Sequence, residues 1–243
     1  MTAQASILVT LSIPGLALVV VAVLGLIIRR YVGKAAARRF ALAAGAWFAI
    51  TALLGLSGFL RDFEALPPRM LLLVLPTLAL PVLLALSRTG QRLASATPVA
   101  LLVGFQSFRF PLELALHRAA AEGTMPPQMS YSGSNFDILS GLTALLVGTL
   151  AALGYAPRWL LLAWNALGSA LLLAIVVIAV ASMPAFQAYG SEPEVVNTWV
   201  ASFPFVWLPA GLVSSAILGH LLLWRRLLSH GMRSRTLVPR PSP

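Results

Sequence analysis

Four polar side chains, three or four residues apart, interrupt the largely apolar stretch QSFRFPLELALHR at residues 106–118. A helical repeat of 100° per residue places them within an arc of about 80°, so they would form one stripe along a helix. Guanidinium, carboxylate and imidazole groups side by side can bind an anion, transfer a proton or hold a metal ion. The first candidate site in the chain is therefore this stripe, formed by Gln106, Arg109, Glu113 and His117.

The composition indicates which solvent surrounds the stripe. Of the 243 residues, 59% are hydrophobic and only 10% are charged, whereas about a quarter of the residues in a soluble domain are charged. A helix needs roughly 20 apolar residues to cross the hydrocarbon core of a bilayer. We therefore predict an all-α transmembrane bundle of seven helices over residues 1–228, followed by a basic tail at 229–243; the spans are about 6–28, 40–60, 70–87, 97–117, 136–155, 159–182 and 199–224.

The basic residues predict how this bundle is oriented. Most of the 17 Lys and Arg residues fall in segments 29–39, 87–96 and 155–158 and in the tail, which seven spans place on one side of the membrane. Because short positive loops face the cytoplasm, the N-terminus is expected outside and the C-terminus in the cytoplasm. Contact of these loops with anionic lipid accounts for the net charge of +10, so membrane lipids are predicted as partners and nucleic acid is not.

In this topology the stripe lies in the outer half of the fourth span. With a rise of 1.5 Å per residue, His117 lies at the outer interface, Glu113 about 6 Å below it and Arg109 about 12 Å below it. The fifth span starts at the same depth and brings three more polar residues back to it. We therefore expect six polar residues to converge on one outer vestibule: Arg109, Glu113, His117, Tyr131, Asn135 and Asp137.

Prolines predict that this half of the bundle contains space. Each proline removes a backbone donor and frees a carbonyl, and kinked helices leave room between them. A cavity open to the periplasm is therefore expected in the outer half. The prolines concerned are Pro14, Pro76, Pro111, Pro204 and Pro209, with Pro81 somewhat deeper.

One interpretation of these polar residues is structural. Arg109 and Glu113 are four residues apart and can pair, which offsets much of the cost of holding a charge in the membrane. Asn135 can cap the fifth helix, and Asp137 in its first turn complements the helix dipole. His117 can extend into the headgroup region.

A second interpretation is a ligand site. Arg109 would be the counter-charge for a small anionic or amphipathic ligand, or for a lipid headgroup, that enters from outside. Glu113, Asn135 and Tyr131 would then orient it.

Catalysis and metal binding are the third and fourth interpretations. Glu113 or Asp137 could be a general acid, with His117 as the base, in a membrane-embedded enzyme acting on a lipid or isoprenoid-like substrate. The same three residues could hold a divalent metal, although the HExxH motif is absent. The sequence does not decide whether the protein is an enzyme.

No cofactor is predicted. The only lysine, Lys34, lies in a cytoplasmic loop, so no Schiff base to retinal is expected. His220 is placed near the inner end of the seventh span and His117 at the outer end of the fourth, so a bis-histidine haem is disfavoured. Asn165 lies at a depth similar to that of His220, and we predict a structural hydrogen bond between their helices.

Two segments resemble an uncharacterised family of bacterial seven-span inner-membrane proteins. They are FRFPLELALHRAAAEGTMPPQMSYSGSNFDILSGLTA at residues 108–144 and FPFVWLPAGLVSSAILGH at residues 203–220. The resemblance implies a multi-pass protein of the bacterial inner membrane and carries no activity with it. The predicted function is a periplasm-facing polar pocket that binds a ligand or lipid; a membrane-embedded enzyme and a structural subunit of a membrane complex are the competing hypotheses.

Overall fold

The computed structural model describes residues 5–235, with side chains for residues 5–229. Over this range the protein is helical and contains no strand, which confirms the all-α class. The nine α-helices are α1 (Ile7–Tyr31), α2 (Lys34–Leu56), α3 (Leu71–Leu86), α4 (Arg88–Ala96), α5 (Val99–Gly104), α6 (Arg109–Ala121), α7 (Ile138–Ala152), α8 (Arg158–Ala181) and α9 (Ser214–Arg235). The predicted tail at 229–243 lies mostly outside the described residues.

Five helical segments are long and apolar enough to cross a membrane. A sixth candidate is the pair α3 and α4, which is bent by 69° at Ser87, and α7 is apolar but shorter than the others. Apolar side chains such as Leu53, Leu83 and Leu146 are exposed on the outer surface of the helices, as expected where lipid is the solvent. The five candidates are Ile7–Tyr31, Lys34–Leu56, Val99–Ala121, Arg158–Ala181 and Leu208–Ser229.

Two regions differ locally from the predicted pattern of loops and continuous helices. Residues 87–96, predicted as a loop, are mostly helix α4, which begins after Ser87 because the Ser87 hydroxyl accepts a hydrogen bond from the Gly90 N–H at 3.1 Å. The seventh segment does not run as one helix from residue 199. It contains a short 3₁₀ turn at Trp199–Ala201 and a π-helical turn at Leu208–Val213 before α9 begins. Pro204 and Pro209 lack backbone donors, which disfavours an uninterrupted α-helix there.

Small residues allow α7 to pack closely along α5 and α6. A Cβ atom at Gly141 would collide with the backbone of Arg109 and Phe110, and one at Gly148 would lie 3.2 Å from Gly104. Gly148 therefore serves close packing between helices of this chain. This close approach fixes the start of α7, with Asp137, against the start of α6, where the polar stripe lies.

Candidate functional site

Arg109 lies at the first position of α6 and is almost fully buried, with 1% of its surface exposed. Its Nε donates to Asp137 Oδ2 at 2.6 Å, and its Nη2 donates to Asp137 Oδ1. Nη1 lies 2.7 Å from His220 Nε2, and both terminal nitrogens lie within 3.5 Å of the Gly168 carbonyl. Every N–H group of the guanidinium therefore has an acceptor within the protein.

Asn165 determines which nitrogen of His220 carries the proton. Its Nδ2 donates to the His220 carbonyl at 3.2 Å, so its Oδ1, 2.7 Å from His220 Nδ1, is left as an acceptor. His220 then carries its proton on Nδ1, and Nε2 is free to accept from Arg109. The predicted hydrogen bond between the helices of Asn165 and His220 is confirmed, and it belongs to a larger group that we call the arginine cluster: Arg109, Asp137, Asn165, Gly168 and His220.

The arginine cluster corrects two predictions. Arg109 does not pair with Glu113; among residues 5–229 its only ion pair is with Asp137. Four-residue spacing permits a pair along one helix, but close packing of α7 on α6 brings a better-placed carboxylate to the guanidinium. His220 does not lie near the inner end of its span either, because its ring contacts Arg109 and α9 continues to Arg235.

Glu113 lies one turn beyond Arg109 and is also buried, with 2% exposed. Its two carboxylate oxygens lie 2.9 and 2.8 Å from Asn135 Nδ2, which also donates to the Met129 carbonyl. Asn135 Oδ1 accepts from the Asp137 backbone N–H at 3.0 Å, so Asn135 forms a turn ahead of α7 while it holds Glu113. Glu113 makes none of the ion pairs found in the described part of the chain.

An apolar cavity of about 100 Å³ borders Glu113. Its walls come from α3, α6 and α8 and from the π-helical turn, with additional contacts from Met129, Asn197 and Val200. Most of the lining is Leu, Val, Ile, Met and Ala. The polar residues of the lining are Thr77, Arg109, Glu113, Asp137 and Asn197.

Two polar groups in the cavity wall have no hydrogen-bond partner within the described part of the chain. Thr77 Oγ1 and Asn197 Oδ1 are buried and make no hydrogen bond with any described residue. Thr77 is 3% exposed and Asn197 is 1% exposed. A buried polar group without a partner costs about 1–3 kcal/mol, so such groups are rare in proteins. Together with Glu113 they are the residues of the cavity with hydrogen-bonding capacity to spare, and we call the three the open polar groups.

His117 and Tyr131 form a separate group beside the cavity. Their rings stack with centroids 4.4 Å apart, and His117 Nδ1 lies 3.2 Å from the hydroxyls of Ser130 and Ser132. Neither ring lines the cavity. The six predicted residues thus divide between the arginine cluster, the Glu113–Asn135 pair and this stacked pair, and do not share one vestibule.

The hypothesis of a metal site finds no suitable group. No three His, Asp or Glu side chains within the described ranges lie close enough together to hold a metal ion. The three residues of the hypothesis, Glu113, His117 and Asp137, therefore do not form such a group. Asp137 is engaged by Arg109, and His117 is turned toward the serine hydroxyls.

Sequence reasoning missed Thr77, Gly168 and Asn197. Thr77 had a signal, because it is the one polar residue in the α3 sequence LLLVLPTLALPVLLAL. Gly168 had no such signal. Its backbone carbonyl accepts from Arg109, and its lack of a side chain leaves space for the His220 ring, and neither property is visible in the sequence. Asn197 lies in the segment between α8 and α9, whose return into the bundle could not be read from its composition.

None of the protein-family models, curated proteins or solved structures compared with the chain matches it.

Proposed function

We propose that the chain is a bacterial inner-membrane protein that binds an amphipathic, lipid-like ligand in the cavity beside Glu113. The observation that carries this proposal is an apolar cavity whose wall contains three buried polar groups with spare hydrogen-bonding capacity, Glu113, Thr77 and Asn197. Apolar walls with a few convergent polar groups are typical of ligand sites. The resemblance of residues 108–144 and 203–220 to bacterial inner-membrane proteins supports the location.

The chemistry of the open polar groups selects the head group. The Glu113 carboxylate and Asn197 Oδ1 are acceptors, and the Thr77 hydroxyl can donate or accept. Arg109 has no N–H group left for an anion, because Asp137, His220 and Gly168 occupy them all. A hydroxyl or amino head group therefore fits this cavity better than a phosphate or carboxylate does.

The size and position of the cavity suggest how the rest of the ligand is held. A volume of about 100 Å³ is smaller than the 150 Å³ or so that encloses a benzene molecule. It has room for a head group and a few carbons. Half-buried residues of α3 and α8 line it, and these two helices are not among the closely packed helix pairs. The hydrocarbon chain would extend between α3 and α8 toward the bilayer.

The proposal includes the seven-span topology with the N-terminus outside. α7 packs along both α5 and α6, so it extends through the same depth as the Val99–Ala121 span. The chain has no cysteine, so single cysteines can be labelled without background. We expect Ser191→Cys to react with an impermeant maleimide in intact cells and Gln91→Cys to react only after permeabilisation. The reverse pattern would overturn the orientation.

Binding is tested with a matched pair of probes. We expect native mass spectrometry to show hexadecanol bound to the delipidated protein and its methyl ether bound about tenfold more weakly, because the ether cannot donate to Glu113. Glu113→Gln and Thr77→Val should each weaken hexadecanol binding. Thr149→Val, an exposed position outside the cavity, is the control.

The outcomes also separate the competing functions. Equal binding of alcohol and ether, or equal binding by all variants, would overturn the proposed site. Conversion of a lipid extract by wild type but not by Glu113→Gln would instead favour a membrane-embedded enzyme acting on a lipid or isoprenoid-like substrate. The second candidate function is a structural subunit of a membrane complex. The arginine cluster favours it, because this cluster joins four helices without a ligand. A protein that carries no bound lipid and co-purifies with a partner protein would support that function.

A further inference from the structure

A second, larger cavity lies away from Glu113. It has a volume of about 470 Å³ and lies between α1 and α2 on one side and α3 and α9 on the other. Its walls are mostly apolar, and Trp47, Phe48 and Pro81 are among the residues that line it. This volume is within the range of about 300–1,000 Å³ that is typical of small-molecule sites.

One end of this cavity is basic. Arg39, in the second turn of α2, and Thr89, in the first turn of α4, both line it there. Neither side chain has a hydrogen-bond or ion-pair partner among the described residues, and Arg39 is exposed. This end therefore offers a cation and a hydroxyl, neither with a partner among the described residues, beside one apolar space.

The surroundings add to the positive charge. Arg38 lies beside Arg39, and further basic residues end α1 and follow in α4. No acidic residue lines the cavity. An anion at Arg39 would therefore meet attraction without a competing carboxylate, and a partner with a long apolar part would fill the space behind it.

We propose that this cavity binds one anionic glycerophospholipid, with an acyl chain between α2 and α3 and the phosphate at Arg39 and Thr89. α2 and α3 both line the cavity but are not among the closely packed helix pairs, which leaves room for a chain between them. The site does not depend on the Glu113 cavity, since none of its lining residues is shared with it.

The test compares phosphatidylglycerol with phosphatidylcholine. Native mass spectrometry of the full chain in mild detergent should show wild type binding phosphatidylglycerol about fivefold more tightly, as expected for one basic contact at a membrane surface. Arg39→Gln should remove this preference. Arg38→Gln, at an exposed neighbour that does not line the cavity, should keep it.

A second pair of variants tests the acyl chain. Ala43→Phe fills the cavity and should weaken binding of both lipids, whereas Ala46→Phe, exposed and outside the lining, should not. Equal effects of Arg38→Gln and Arg39→Gln would overturn the site, because they would show diffuse attraction only. Unchanged lipid binding by Ala43→Phe would overturn it as well. So would a protein dimer that forms in wild type without bound lipid and is lost in Ala43→Phe.

Discussion

Arg109 and Glu113 lie one turn apart on α6 and are almost equally buried, but their hydrogen-bond partners differ. Arg109 has an acceptor for every N–H group, from the regions of α7, α8 and α9. Glu113 has one amide partner and borders an apolar cavity, whose wall also contains two polar atoms that make no hydrogen bond with residues 5–229. The first arrangement leaves no N–H group of Arg109 without an acceptor, whereas the second includes buried polar atoms without a partner among the described residues.

This difference separates two uses of polar groups inside a membrane. An ionisable group in a span is a functional candidate by default, but satisfied hydrogen bonds show when its role is to hold helices together. The arginine cluster has that role, because loss of any member leaves a buried group without its partner. Spare hydrogen-bonding capacity beside a cavity is the better reason to propose a binding site, and the proposal made above rests on that capacity at Glu113, Thr77 and Asn197.

The largest expected effect comes from breaking the ion pair in the arginine cluster. Asp137→Leu should lower the free energy of unfolding by about 3–5 kcal/mol, because it leaves the Arg109 charge buried without its counter-ion. Unfolding in mixtures of mild detergent and dodecyl sulfate measures this. The control is Asp62→Asn, which breaks an ion pair to Arg69 in which both side chains are more than a third exposed; about 0–1 kcal/mol is expected there. Equal losses would refute a special role for the buried pair.

The next effect tests how the arginine cluster fixes His220. Asn165→Leu removes both hydrogen bonds from α8 to His220. We expect a loss of about 1–3 kcal/mol, because the Nδ1–H of His220 is left buried without an acceptor, whereas its carbonyl lies inside α9 and keeps the helical hydrogen bond. The same unfolding measurement on Leu167→Ala, an exposed position on α8, should change by less than about 0.5 kcal/mol. A loss for Asn165→Leu no larger than that of the control would show that Asn165 does not hold the ring.

Glu113 should matter less for stability than its charge and burial suggest. Glu113→Leu breaks no ion pair, and Asn135 Nδ2 can still donate to the Met129 carbonyl. In the delipidated protein we expect a loss of about 0.5–1.5 kcal/mol, well below that of Asp137→Leu. If the two variants lost the same stability, Glu113 would belong with the arginine cluster and the contrast between the two regions would be wrong.

The sequence predicted the membrane class, a helix in each of the seven segments and the hydrogen bond between Asn165 and His220. It did not predict the partners of Arg109. Spacing along one helix identifies Glu113 as a possible partner, but the distance between helices decides the pairing. That distance depends on Gly141, which lets α7 approach the backbone of Arg109 and Phe110.

The cavity open to the periplasm stays a prediction. Prolines indicated space, and Pro209 does line the cavity beside Glu113. The polar atoms that give the cavity its chemistry could not be identified from the sequence, because whether a threonine or asparagine is satisfied depends on its rotamer and on the neighbouring helix. Thr77 and Thr51 show this: the Thr51 hydroxyl donates to the Trp47 carbonyl four residues back, whereas the Thr77 hydroxyl does not find a partner among the described residues.

A third carboxylate, just beyond the end of α6, shows what the same group does near water. The Ser6 backbone N–H donates to Glu122 Oε2 at 2.8 Å and Arg118 Nε donates to Oε1 at 2.6 Å. These contacts, that of Ser6 first, hold the pKa of Glu122 below its usual value of 4.5. Because the folded-state pKa is the lower one, the stabilisation is present above pH 4.5 and is lost as the pH falls toward the folded-state pKa.

We therefore expect wild type to melt at a higher temperature than Glu122→Gln at pH 7, and the difference to shrink as the pH falls from about 5 to 3. The effect should be the smallest of the four, because Arg118 is exposed and water screens the pair. Taking the difference between the two proteins cancels the titration of the other carboxylates. A constant difference in melting temperature across this range would show that Glu122 acts through packing and not through charge. The comparison of Glu122, near water, with Glu113, beside the cavity, would then have no support from electrostatics.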